Sequence, residues 1–251
     1  MKDFGKIITV TSRKGGVGKS TTLLNLAGVY SNLEKKVLIL DLDLYSSSIA
    51  TSLNIKLDKT IYNLVNDISD NRFTEFVDYV VNYNDYISIL PSIKDPRQAS
   101  HIHLKYIEQI INMAKHVYDV ILIDTSHVLN DLNVVIFDNS HTILDIMSND
   151  PIDLVNTKTF VNIVSDIEFP DLRILLNESN SLEEKYFSLY DIRSFIGYNI
   201  DYKLGREYYV KTIDKYVLGG KILTLNNIYP TDKKEYKKLV KIALDLLKFK
   251  E

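Results

Sequence analysis

Between an apolar run, Ile7-Ile8-Thr9-Val10, and a second one, Leu23-Leu24-Asn25-Leu26-Ala27, the chain reads Thr11-Ser12-Arg13-Lys14-Gly15-Gly16-Val17-Gly18-Lys19-Ser20-Thr21-Thr22. No other stretch restricts the fold as strongly. The first run reads as a buried strand and the second as the start of a helix. Strand, glycine-rich turn, Lys-Ser and helix is the context that a phosphate-binding loop requires. Gly15, Gly16 and Gly18 let backbone N–H groups turn inward and approach anionic oxygens. The helix N-terminus behind them, from Lys19 through Ser20 and Thr21, adds unpaired donors and about half a positive charge. Val17 completes the cradle. Lys19 supplies a full charge, and the Ser20 hydroxyl suits Mg²⁺. A chance glycine-rich βα turn would need both lysines, three glycines and the two flanking elements to agree by accident.

Further along, apolar runs end in acids or amides. Val37-Leu38-Ile39-Leu40 leads to Asp41-Leu42-Asp43, Val120-Ile121-Leu122-Ile123 to Asp124, and Leu172-Arg173-Ile174-Leu175-Leu176 to Asn177. Ligands of open parallel sheets sit outside the C-terminal ends of the strands. Asp41, Asp43, Asp124 and Asn177 are therefore candidate site residues. For Asp41, Asp43 and Asn177 the alternative is a side chain that only caps the next turn. His127, just past Asp124, reads as a surface or packing residue. Strands are also expected at 86–90, 141–147 and 190–196. Helices are expected at 19–33, around 49–51, at 60–65, 73–81, 100–115, 152–165, 206–217 and 231–250, and 197–202 reads as an extended loop. Strands alternate with helices, and no repeat or Gly/Ser-rich linker interrupts them. The expectation is one α/β domain over 1–251, doubly wound, with a mostly parallel central sheet flanked by helices.

Composition removes several classes. The 251 residues suffice for a large core. They include no cysteine, which excludes disulfides, thiolate metal sites and a cysteine-held iron–sulfur cluster. A net charge of −3 argues against a surface that binds nucleic acid all over. Met1–Gly5 leads straight into the first strand, so no secretory signal is expected and the default location is the cytoplasm. The last helix is amphipathic and lysine-rich. It suits packing on the sheet with a solvated lysine face, and less well a membrane-surface helix, since Phe249 is its only large aromatic anchor besides Tyr236.

The form Lys14-Gly15-Gly16-Val17-Gly18-Lys19-Ser20-Thr21 has a second lysine at its front, and Arg13 stands where the common P-loop pattern has its first glycine. This form resembles the deviant Walker A loop of the ParA/MinD family of ATPases, which have the P-loop NTPase fold. The resemblance implies ATP and Mg²⁺ as ligands and a homodimer with ATP sandwiched between its subunits. It implies that Lys14 reaches the phosphates of the nucleotide bound to the partner. Asp41-Leu42-Asp43 resembles the Walker A′ motif, in which the second aspartate helps to position the attacking water. That role falls to Asp43, and Asp41 becomes a structural or Mg²⁺-shell group. Asp124 resembles the Walker B aspartate, which holds Mg²⁺ with Ser20. It is followed here by Thr125-Ser126-His127 without the usual prolines, which implies a less rigid loop. Asn177 resembles the adenine-recognising residue, since an amide can pair a donor and an acceptor of the base.

The order of features looks most like the ATPase domain of CpaE/TadZ pilus-assembly proteins, on Leu44-Tyr45, Asn149-Asp150-Pro151, Asn199-Ile200-Asp201-Tyr202 and Gly219-Gly220-Lys221-Ile222-Leu223. That implies an ATPase which places pilus or secretion machinery. Competing readings are a ParA-like partitioning ATPase that binds DNA and a MinD/FlhG-like ATPase peripheral at the inner face of the membrane. A nucleotide-gated scaffold with negligible turnover is a reading from a different class.

Overall fold

A computed structural model describes residues 4–165, 171–179, 186–226 and 228–248. Eight strands form one sheet: β1 (Lys6–Ser12), β2 (Val37–Asp41), β3 (Val81–Asn82), β4 (Ile87–Leu90), β5 (Val120–Asp124), β6 (Thr142–Met147), β7 (Asp171–Asn177) and β8 (Tyr202–Leu204). Their order is β3-β4-β2-β5-β1-β6-β7-β8, and every neighbouring pair is parallel except β3 with β4. The doubly wound, mostly parallel sheet expected from the sequence is what the chain forms.

The apolar runs are continuous because both faces of the sheet are covered. On β2, Leu38 and Leu40 enter the core on one face, while Val37 and Ile39 enter the core on the other. On β5, Ile121 and Ile123 alternate with Val120 and Leu122 in the same way. The first face carries α3 (Ile61–Ser69), α4 (Leu104–Ala114), α5 (Asp131–Asp138), α6 (Pro151–Ser165) and α7 (Leu189–Ile196). The second carries α1 (Lys19–Asn32), α2 (Ile49–Ser52), α8 (Ile213–Leu218) and α9 (Lys234–Leu246).

Helix α1 is buried along most of its length, wedged between the sheet and the C-terminal segment. A Cβ on Gly28 would lie 2.2 Å from Thr224 Oγ1 and 2.8 Å from Ile222 Cγ2, so only glycine permits this approach. The Thr224 hydroxyl donates to the Asn25 carbonyl (2.9 Å), and the Tyr30 hydroxyl donates to the Ala243 carbonyl (2.8 Å). Helix α9 buries Tyr236, Leu239, Ile242, Ala243 and Leu246 in this contact, which is the packing role read from its pattern. Lys237, Leu244 and Lys248 are exposed. The expected end of this helix at Phe249 and Lys250 lies outside the described residues, as do Met1–Asp3.

Several local expectations change. Residues 190–196, expected as a strand, are helix α7. Ser188 and Asp191 form a reciprocal capping box, Gly197 closes the helix at φ 70°, and Ile192 and Ile196 share its buried face. The apolar spacing was i, i+4, and the β-branched residues masked it. Of the loop expected at 197–202, residues 197–201 are irregular as expected, and only Tyr202 departs from it, opening Tyr202–Leu204, which pairs with β7 as the sheet edge. The helix expected at 206–217 is a 3₁₀ turn at Arg206–Tyr208 followed by α8. The helix expected at 73–81 shrinks to a 3₁₀ turn at Phe76–Tyr79 before β3. The N-terminal part of 100–115 is likewise 3₁₀, over Pro96–His101. Helix α5, capped by the Asn130 side chain, had no sequence counterpart.

Candidate nucleotide site

Strand register assembles the site. Asp41 lies directly across from Asp124, and Val10, at the foot of the loop, is across from Asp124 on the other side. The ends of β2, β5 and β1 thus deliver two carboxylates and the glycine-rich loop to one place. Within the loop, Gly16 (φ 79°) and Gly18 (φ 91°) have left-handed backbone that favours glycine. A Cβ on Gly15 or Gly16 would meet nothing within 4 Å, so the front of the cradle is open. A Cβ on Gly18 would lie 2.5 Å from Asn177 Nδ2.

Lys19 Nζ donates to Asp124 Oδ1 at 2.5 Å and lies 3.8 Å from Asp43 Oδ2. The Ser20 hydroxyl donates to Asp124 Oδ2 (2.8 Å) and accepts from the Ser48 hydroxyl (3.0 Å). The Ser47 hydroxyl donates to Asp41 Oδ2 (2.6 Å), whereas the buried Asp41 Oδ1 has no hydrogen-bond partner among the described residues. Asp43 Oδ1 accepts from the Ser46 N–H (3.0 Å), so this carboxylate also caps its turn. Burial, then the neighbouring Asp124 charge, pushes the Asp41 carboxyl up to about 7, against the Ser47 hydrogen bond. Burial also raises Asp124, opposed by Lys19. Three carboxylates around one ammonium leave an excess of negative charge in a dry pocket, which a divalent cation relieves. Among the described residues no group of three or more His, Asp or Glu is arranged to hold a metal unaided. The oxygens present, the Ser20 hydroxyl on Asp124 and Asp41 Oδ1, unpartnered among the described residues, suit Mg²⁺, which takes one or two protein oxygens and completes its shell with water and phosphate.

Asn177 donates from Nδ2 to the Val17 carbonyl (2.8 Å) and accepts at Oδ1 from the Ser179 N–H (3.1 Å). It thus bolts the back of the loop to β7 and also lines a cavity with Gly18, Thr21, Asn25, Tyr208 and Ile213. The bond from Ser179 is that of the turn-forming reading of Asn177.

Lys14 is apart from this cluster. Its Nζ lies 3.2 Å from Asp150 Oδ2, with 41% of its side chain exposed. Asp150 Oδ1 accepts from the Ile152 (3.0 Å) and Asp153 (3.2 Å) N–H groups, capping α6. His127 is exposed. The proline-free loop after Asp124 is tied to α5 by Asn133, whose Nδ2 donates to the Ser126 carbonyl (3.3 Å). Sequence reasoning missed Ser47, Ser48 and Asp150 as partners of site residues. A run of three serines and an acid just before Pro151 were the signals available.

Comparison with known proteins bears on the family and the fold. Residues 5–168 match the AAA_31 model, described as an AAA domain. Antiactivator FleN of Pseudomonas aeruginosa is 24% identical over 194 residues, covering 73% of this chain and 67% of FleN. The chain spans about half the length of the septum site-determining MinD proteins that it also matches. The solved ParA family ATPase from Chlorobium tepidum superposes with a TM-score of 0.81 at 17% identity, covering 95% of this chain and 98% of that one. MinD of Pyrococcus horikoshii, solved with Mg-ADP, superposes with a TM-score of 0.78 at 19% identity, covering 96% of both chains.

Proposed function

Because the chain belongs to the AAA_31 family, AAA domains whose model spans residues 5–168, we propose that it is an ATP-dependent switch: an ATPase that dimerises around nucleotide and thereby positions cellular machinery. The observation that carries this reading is the convergence of Lys19, Ser20, Asp43 and Asp124 behind an open glycine cradle, with Lys14 held apart on the exposed side. The fold match to a MinD solved with Mg-ADP supports the choice of ligands.

In this mechanism the backbone N–H groups of residues 15–21 and the Lys19 ammonium hold the phosphates. Ser20 and Asp124 hold Mg²⁺, with Asp41 behind them. Bound Mg²⁺ would supply positive charge to the transferring phosphoryl group. Lys19 exchanges its contact with Asp124 for phosphate oxygen. Asp43 orients the attacking water. Asn177 and the cavity beside α1 receive the base. Lys14 leaves Asp150 and reaches the phosphates held by a second copy, adding charge where negative charge develops. Loss of the γ-phosphate removes those contacts and loosens the dimer.

For the machinery we propose a pilus or secretion apparatus, supported by the layout of Asn149–Pro151 and Asn199–Tyr202. FleN and MinD carry their own tasks under their own names. Among the described residues no helix is long and apolar enough to cross a membrane. Turnover and oligomer size are to be measured with ATP, ADP and no nucleotide. An ATP-specific dimer that hydrolyses ATP is expected, and the reading fails if ATP is neither hydrolysed nor able to dimerise the chain. Pull-downs with the ATP-locked protein on DNA, on anionic vesicles and on isolated pilus-base proteins then separate the outputs.

A further inference from the structure

Arg13 occupies the front of a solvent-facing, glycine-rich turn, yet only 6% of its side chain is exposed. Its guanidinium is fixed by three elements. Nη2 donates to the Thr11 hydroxyl on β1, Nε lies 3.4 Å from Asp145 Oδ1 on β6, and the guanidinium carbon sits 4.1 Å from the centre of the Phe160 ring on α6. Asp145 alternates along β6 with Ile143 and Met147, so it points into the apolar face that α6 covers. It is fully buried, and neither carboxylate oxygen has a hydrogen-bond partner among the described residues. Asp153 of α6 is the other charge facing it. A buried ion pair of this kind is poor at adding stability compared with an apolar pair. Its placement points to another role.

We infer that Arg13 and Asp145 are a positioning pair which fixes the front of the loop so that Lys14 projects toward a second copy of the chain. The inference rests on the function proposed above for Lys14. With residue 13 drawn inward, residue 14 is turned outward. Asp145 and Asp150 lie on the same strand–helix unit, β6 to α6, so the front of the loop takes its position from that unit. Lys19 takes its partners from β5 and from the segment just after β2 instead. The pair therefore governs what Lys14 does and leaves nucleotide affinity alone.

The test uses the full chain with Arg13→Lys, Asp145→Asn and Phe160→Leu, each checked for a wild-type melting profile with ATP·Mg²⁺ bound. Arg13→Lys keeps the charge but loses the planar fork that reaches Asp145 and covers Phe160. The expected result for the first two is an ATP Kd within about twofold of wild type, a kcat lower by about tenfold and a weaker ATP-dependent dimer, since small displacements of a reacting group cost rate. Phe160→Leu gives the same pattern more weakly, and it carries the test if Asp145→Asn fails to fold. Combining Arg13→Lys with Lys14→Ala should cost no more than Lys14→Ala alone. Folded variants with wild-type kcat overturn the inference. So does a Kd that rises as far as kcat falls, because that means collapse of the whole loop. Lys14→Ala is the control. If it lowers kcat while the pair variants do not, only the positioning role fails. If it changes nothing, the proposed function of Lys14 fails and the inference falls with it.

Discussion

The two lysines of the loop sit in opposite surroundings. Lys19 is almost enclosed, with 11% of its side chain exposed, and it faces carboxylates from β5 and from the segment just after β2. Lys14 is 41% exposed and leans on one acid at the start of α6. An enclosed ammonium in contact with Asp124 suits a ligand that enters the cradle and replaces the carboxylate. An ammonium at the rim, held by a single screened contact, is cheap to release. The difference teaches that one loop presents one charge inward, among carboxylates, and another outward, to solvent.

The comparison is broken most directly by removing each lysine. Lys19→Ala should reduce kcat/KM by on the order of 1,000-fold through lost binding, because it also leaves Asp41, Asp43 and Asp124 uncompensated; titration calorimetry that finds wild-type ATP affinity would refute its role. Lys14→Ala should lower kcat by on the order of 100-fold while the ATP Kd stays within about twofold, as for a charge delivered in trans. Steady-state kinetics beside sedimentation analysis reads both numbers, and equal losses from the two lysines would erase the distinction. Asp43→Ala should slow hydrolysis by roughly tenfold to 100-fold and prolong the ATP-bound dimer; unchanged turnover removes Asp43 from the mechanism.

A smaller effect concerns pH. Burial, opposed by Arg13, holds the Asp145 carboxyl up at about 7, well above the ordinary carboxylate range. The folded state therefore binds this proton more tightly than the unfolded chain. Its contribution to stability is present below the ordinary carboxylate pKa and is lost as pH rises through about 7. Ligand-free wild type should lose melting temperature between pH 5 and pH 8, and Asp145→Asn should lose less. Parallel pH profiles for the two proteins would show that Asp145 does not titrate in that window.

The phosphate loop, Asp43 and Asp124 were legible because they follow apolar runs at strand ends, a signal that needs no tertiary information. The sheet followed from the same runs. What stayed hidden depends on contacts distant in sequence. Asp145 lies inside an apolar run, and nothing local says that Arg13 will reach it from just past β1. Asp150 was read only as part of the Asn149–Pro151 segment, although one of its oxygens caps α6 and the other holds Lys14. Helix α7 was misread because Ile192 and Ile196 favour strands by type, while the Ser188–Asp191 box that starts the helix lies in its polar residues. The run of three serines was visible, but that Ser48, just before α2, meets Ser20 at the start of α1 depends on how the two helices pack.

The glycine contact of α1 has a mechanical consequence. With no side chain at residue 28, the helix that carries Lys19 and Ser20 at its tip is clamped against residues 222–224, and Tyr30 latches it to α9. The tip that carries Lys19 and Ser20 and the lysine-rich helix α9 are thereby joined through α1. Any displacement of α1 along this seat would have to carry residues 222–224 and α9 with it, because the close packing leaves no slack.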